Sequence, residues 1–358
     1  SDVYKRQVLV KSLTKSEKRQ FKLYVGRLGV NEDSKFLLLF KLLERLKVYD
    51  EKLILKEGFV KKQQLSNLKA HLYKQILISL KLNPSHQNLR IQLREQLDFA
   101  TILYHKGLYK QSLKILDKAK ALAIKNQEKN IAYEIVELEK VIESQYITRS
   151  LSNRADVLTI QAKELSRQNV IASKLSNLSL QLYGLFLKTG YVKNNEEHEK
   201  VTDYFDKRMP KFKIEALGFR EKLWLYKSHL WYSFLIQDFK SCYKYSRKWV
   251  DLFYDNEAMI PLNPVFFLRG YQYLLEALFF IKHHQKFKNV LNDFEQITQK
   301  SWFPHDDNID GLVFLYLYSN KINLHFMEGS FTEGLPLIEE VLEGLNKHAN
   351  QIDEHHVM

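Results

Sequence analysis

The sequence predicts an all-α chain: a basic helical region at the front, then a solenoid of stacked antiparallel hairpins. Three observations carry this. Apolar residues recur at steps of three and four through most of the chain, the spacing of a helix with one buried face. Only six prolines and twelve glycines occur in 358 residues, and strand-like alternation is nearly absent. A short turn element also recurs, first met in GLYKQSLKILDKA at 107–119.

Residues 1–7, SDVYKRQ, read as translated adapter sequence rather than part of the fold, which leaves open what precedes residue 8. Residues 8–83 form the basic N-terminal region, with three expected helices. Thr14, Lys15, Ser16 and Glu17 have capping-box spacing, a hydroxyl at the cap and a carboxylate three residues later, opening a helix to about 28. A second runs from Ser34 to about Tyr49, and its FLLLFKLLERL is apolar enough for a core. A third covers about 63–82 and runs into Asn83-Pro84-Ser85, the expected boundary before the repeats.

The array is expected over 84–346, with 347–358 a frayed tail. In its first hairpin Phe99, Ala100 and Leu103 form one stripe, and Gly107 interrupts. Tyr109, Ser112, Leu113, Leu116, Ala119 and Ala123 form the next stripe, so the stretch reads helix, tight turn, helix. This unit resembles a tetratricopeptide repeat, which places an apolar–small pair, an apolar residue, a glycine, an aromatic and a small residue at fixed offsets. Those slots hold Phe99-Ala100, Leu103, Gly107, Tyr109 and Ser112. Similar elements recur as QDFKSC at 237–242 (Phe239, Cys242), QKFKNV at 285–290 (Phe287, Val290) and GSFTEG at 329–334 (Phe331, Gly334).

The four aromatic positions are separated by 130, 48 and 44 residues. The first gap has room for two further turns, near 152 and 195, where SLSNRAD (150–156) and YVKNNEE (191–197) break the pattern. Turns are therefore expected near 109, 152, 195, 239, 287 and 331, at a spacing of about 43–48 residues. This exceeds the ~34 residues of a standard tetratricopeptide repeat and implies longer helices. The resemblance implies a right-handed αα-hairpin solenoid. Asn263-Pro264 is expected to cap and open one helix, and Pro336 to lie about four residues into another.

The net charge of +13 is unevenly spread. Residues 1–100 hold 21 basic against 10 acidic residues, whereas 251–358 hold 7 against 16. A basic front and an acidic back bear on partners rather than on fold. The longest apolar runs, such as LLEALFFI at 274–281, fall far short of the ~20 residues that span a bilayer. One cysteine, Cys242, forms no intrachain disulfide and suits a reducing compartment, so a cytoplasmic location is expected.

Motifs with chemical spacing are weak. DDNIDG places Asp306, Asn308, Asp310 and Gly311 at positions 1, 3, 5 and 6 of an EF-hand loop, but position 12 is Leu317 instead of glutamate. Calcium is therefore not expected, and Asp310 reads as a helix cap. His283-His284 and the tail pair His355-His356 lack metalloprotease or di-iron spacing, and no P-loop or G-x-S-x-G occurs. Cys242 falls in the repeat's small-residue slot, a packing role. No catalytic residue, cofactor or metal is assigned, and the chain is read as a non-enzyme.

The resemblance implies a protein–protein interaction scaffold whose concave groove, lined by the first helices of the hairpins, holds a partner peptide or helix. Carrying the family's groove offsets onto the better copies points to Arg94 and Tyr104, to Trp224, Lys227 and Trp231, and to Phe279 and Lys282. Aromatic and cationic side chains are good anchors for a partner chain. The alternative is nucleic-acid binding by the basic N-terminal helices, with 63–82 as a recognition helix offering Lys69 and Lys74 to phosphates. A ligand-responsive regulator, its repeats controlling the N-terminal region, is a third class. The partner and the oligomeric state are left open.

Overall fold

The computed structural model describes residues 8–29, 34–46, 48–145 and 153–349. The leader 1–7, the expected turn near 152 and the tail histidines His355 and His356 lie outside them. Every regular element among the described residues is a helix. No helix there is long and apolar enough to cross a membrane. The chain divides into two compact units, Ser1–Glu95 and Gln96–Met358.

In the first unit, α1 (Lys15–Arg27) opens with the expected capping box. Thr14 Oγ1 accepts from the Glu17 N–H, and the Glu17 carboxylate accepts from the Thr14 N–H at 2.7 Å. Helix α2 (Lys35–Arg45) ends at Leu46, earlier than expected, and a short α3 (Glu51–Lys56) follows, capped by the Asp50 carboxylate. Helix α3 was not expected, because six residues carry too little periodicity to mark a helix. Helix α4 (Lys62–Leu82) packs across α1 and α2. Phe21, Leu39, Phe40, Ile54 and Leu65 are sealed at the centre of this core.

Helix α5 (Leu89–His105) enters the second unit, which continues with α6 (Tyr109–Lys125), α7 (Lys129–Gln145), α8 (Arg154–Thr189) and α9 (Asn195–Arg208). Then come α10 (Phe219–Leu235), α11 (Phe239–Tyr254), α12 (Pro264–Phe280), α13 (His284–Thr298) and α14 (Asp307–Glu328). A single turn α15 (Phe331–Gly334) precedes α16 (Leu337–Lys347). From α6 to α15 consecutive helices pack on one another, and two alternate pairs do too: α8 with α10, and α12 with α14. Helices α8, α10, α12 and α14 follow side by side, α10 and α12 joined by the Trp224–Phe266 and Trp231–Tyr273 ring contacts, and α11 and α13 pack against this row.

One turn geometry recurs five times. Gly107, Gln127, Gln237, Lys282 and Gly329 take left-handed φ values between 54° and 74°. The next residue's N–H donates to the carbonyl five residues back each time: Leu108 to Leu103, Glu128 to Ala123, Asp238 to Ser233, His283 to Leu278, Ser330 to His325. This is the Schellman closure, which ends one helix and starts the next within two or three residues. Only two of the five use glycine, so glycine alone marks only part of the pattern.

The turns correct the expected register. Gly107, Gln237 and Gly329 stand where GLYKQS, QDFKSC and GSFTEG placed them, but the turn before α13 is at Lys282, three residues ahead of Gln285. Phe287 therefore occupies the small-residue slot beside Ser112, Ala132, Cys242 and Gly334, not the aromatic slot, which holds His284. Ser112, Ala132, Cys242 and Phe287 are all fully buried. Ser112 Oγ donates to the Ala100 carbonyl at 2.7 Å, tying α6 to α5. Phe331, in the aromatic slot of its turn, is 60% exposed.

Three further expectations change. Helix α8 runs unbroken for 36 residues, about 54 Å, so it serves one hairpin with α7 and the next with α9. Asp306, not Asp310, caps α14, accepting from the Ile309 N–H at 2.8 Å. Pro336 lies between α15 and α16 rather than inside one helix, because its ring cannot continue an established ladder. Pro264 does open α12, although the Asn263 side chain makes no capping bond.

Candidate functional site

The second unit is held by buried charge as well as by apolar packing. Lys120 on α6 and Glu139 on α7 are sealed from solvent with Nζ and Oε2 2.6 Å apart, and Arg154 at the start of α8 reaches Glu139 at 3.1 Å. Burial raises the Glu139 carboxyl against the pull of Lys120 and Arg154. Lys129 on α7 meets Glu221 on α10 at 3.2 Å. These lysines and glutamates sit inside apolar stripes (Leu116, Ala119, Ala123; Ile135, Val136, Ile142), and that position was the signal that distinguishes them from solvated charges. They define the frame; their hydrogen bonding is internal.

The face with uncommitted polar groups is formed by α10 and α12. Successive turns of α12 present Phe266, Arg269, Tyr273, Glu276 and Phe280, about one turn apart. Trp224 packs edge-on to Phe266 at 5.5 Å, and Lys227 Nζ lies 5.0 Å above the Trp224 ring and 5.8 Å from Phe266. No carboxylate pairs with Lys227 among the described residues; burial, then repulsion from Arg269, lowers its ammonium to about 8. Arg269 is exposed, and its charge acts on the Tyr316 hydroxyl of α14. This end of the face is thus cationic and aromatic, able to take an anionic or aromatic group.

The backbone lets this face form. Trp249 of α11 lies against α12 at Gly270, where a Cβ would stand 2.8 Å from the indole Cδ1. Its Nε1 donates to the Phe266 carbonyl at 3.0 Å. On the α14 side the buried Asn320 donates to Gln272 Oε1 at 2.7 Å.

The expected groove residues separate into groups. Trp224 and Lys227 come together as described. Phe279 and Lys282 line a pocket of about 370 Å³ with Phe280, His284, Phe326 and Met327. Tyr104 is half-buried, donates to Gln145 at 3.0 Å and stacks near Tyr109, well away along the chain order of the helices. Arg94 is exposed and belongs to the first unit. Trp231, expected as an anchor, is 8% exposed: its ring packs on Tyr183 at 4.8 Å, Phe186 at 5.6 Å and Tyr273 at 5.8 Å, fastening α8, α10 and α12 together. Its removal would disturb that packing before it disturbed any binding.

The two lysines expected at phosphates also differ. Lys74 is exposed, but Lys69 is 5% exposed, donates to the Tyr49 hydroxyl at 3.1 Å and sits 3.5 Å from Glu51. A lysine committed to a tyrosine and a glutamate offers no charge to a phosphate. Cys242 is sealed, and burial pushes its thiol well above the usual range.

Compared with known proteins, the chain matches no protein-family model, no curated protein and no solved structure.

Proposed function

We propose that the second unit is a tetratricopeptide-like helical-repeat scaffold that binds a peptide or helix of a partner protein along the α10–α12 face. The carrying observation is the pairing, on one face, of aromatic rings with charges that the fold leaves unused: Trp224, Lys227 and Phe266 at one end, Glu276 at the other. Structural charges in this unit are paired inside it, as Lys120 and Lys129 are, so unpaired ones on a shared face stand out. The five equivalent turns support the repeat reading, and the row of α8, α10, α12 and α14 supplies one continuous helical surface.

Nucleic-acid binding is the weaker reading, since Lys69 is committed within the first unit and the final hundred residues are acidic. Panning a displayed peptide library against the full chain tests the proposal. Selected peptides should bind with only mild salt dependence and weaken at least tenfold on Trp224→Ala or Lys227→Ala. Failure to enrich any sequence would count against it. So would sub-micromolar DNA or RNA binding at ~0.15 M salt that is lost on Lys74→Glu.

A further inference from the structure

Glu276 lies on the same side of α12 as Tyr273, one turn before it, and Phe280, one turn after it. Its side chain is half-buried, and no hydrogen bond or ion pair reaches it among the described residues. Burial alone raises its carboxyl, to about 7, with no cation set against it. Rings line this end of the face. Phe280 stacks on Phe239 at 4.4 Å, Phe239 meets Tyr191 edge-on at 6.3 Å, and Phe234 touches both Tyr273 and Phe280.

Tyr191 is held there by the backbone. The Val192 N–H donates to the Leu235 carbonyl at 2.9 Å, and Gln237 Nε2 donates to the Val192 carbonyl at 3.0 Å. The Glu276 charge helps to raise the Tyr191 and Tyr273 hydroxyls and the Cys242 thiol, groups of three separate segments.

An unpaired carboxylate in such surroundings is a net cost to the fold, and an apolar residue of similar size would pack with less penalty. Aromatic faces and a carboxylate share one preference, a cation. We propose that Glu276, with Tyr191, Tyr273 and Phe280, forms a subsite for the ammonium or guanidinium of a lysine or arginine side chain. This rests on the peptide-binding reading and gives it chemistry: the bound segment carries a basic residue at the Glu276 end. Two turns back, Lys227 and Arg269 repel such a group, which fixes the polarity of the segment.

Small probes test the subsite without any partner. The full chain is titrated with n-butylammonium or n-butylguanidinium chloride, with n-butanol as the neutral control. The indole N–H signal of Trp231, one of four tryptophans and 5.8 Å from Tyr273, reports binding by NMR. Both cations should shift it saturably in the wild type, and n-butanol should not. Glu276→Gln, nearly isosteric and free of the unpaired charge, should abolish the shift while keeping the spectrum of a folded protein. Phe280→Leu should weaken it several-fold.

Affinity for the cations should be about 10-fold tighter at pH 8 than at pH 6, as the Glu276 carboxyl goes from about one-tenth to about nine-tenths ionised. Tyr191, Tyr273 and Cys242, on which its charge acts, are all pushed upward and stay neutral over this range. Lys227 loses part of its charge near pH 8, and Glu276→Gln retains that change, so the difference between the two proteins isolates Glu276. No saturable shift, or an equal shift in Glu276→Gln, overturns the subsite. Peptides that bind wild type and Glu276→Gln alike would remove it and leave the peptide-binding reading standing. Cation binding by a protein that enriches no peptide would do the reverse.

Discussion

Lys129 and Glu221 stand 92 residues apart in the chain and form a buried ion pair, Nζ to Oε2 3.2 Å, that joins α7 to α10. Gly218 makes room for it, because a Cβ there would stand 2.4 Å from Lys129 Nζ. Removing one partner leaves the other charge buried alone. Lys129→Met should therefore cost about 3–5 kcal/mol in denaturant unfolding, and Lys129→Met with Glu221→Leu should recover most of it. Additive losses would mean that the two charges are solvated separately.

Phe287 and Phe331 occupy different slots of the repeat despite their matching sequence surroundings. Phe287 is fully buried, so Phe287→Ala should cost about 3–5 kcal/mol. Phe331→Ala should fall within about 0.5 kcal/mol of wild type, as exposed substitutions do. Tyr109, half-buried, should lie between. Equal losses at 287 and 331 would contradict the register.

The left-handed turn positions offer a backbone test. A methyl at Gly107 would enter open space, so Gly107→Ala meets strain alone and should cost about 1 kcal/mol. Lys282→Gly relieves the same strain and should be neutral or stabilising by up to about 1 kcal/mol. Thermal unfolding of the two variants checks the opposite signs.

Glu276 should make stability fall as pH rises. Its folded carboxyl titrates near 7, above its ordinary value of 4.5, so the native state holds the proton more tightly. Between about pH 4.5 and 7 the unfolded chain releases its proton first, and the native state loses about 2–3 kcal/mol relative to it. Above 7 the loss is complete. Glu276→Gln should flatten this part of the stability profile, and an unchanged profile would show that the carboxylate is well solvated.

The helical class and most of the turns were legible in the sequence because stripes such as Leu113, Leu116 and Ala123 follow directly from helical spacing. The turn at Lys282 was not, since a left-handed lysine has no glycine to mark it, and the nearest aromatic drew the register three residues too far; nor was the turn at Gln127, which lies at none of the expected positions. Trp231 illustrates a second limit: a large aromatic on a first helix can point into a groove or into the next helix, and spacing alone does not choose. Lys69 looked available for the same reason, its partners Tyr49 and Glu51 lying 20 and 18 positions upstream. The unpaired state of Glu276 is a property of the surroundings in three dimensions, and no one-dimensional pattern encodes it.

The proposed seat of the partner segment is the α10–α12 face. It is tested most directly by photo-cross-linking a selected peptide to full-length protein carrying p-benzoylphenylalanine at Gln272, at Trp224, or at Lys244 on α11 as a control off that face. Cross-links are expected from positions 224 and 272, suppressed by excess unlabelled peptide, and none from 244. Efficient cross-linking from 244, or silence at both 224 and 272 with a peptide that binds, would contradict it.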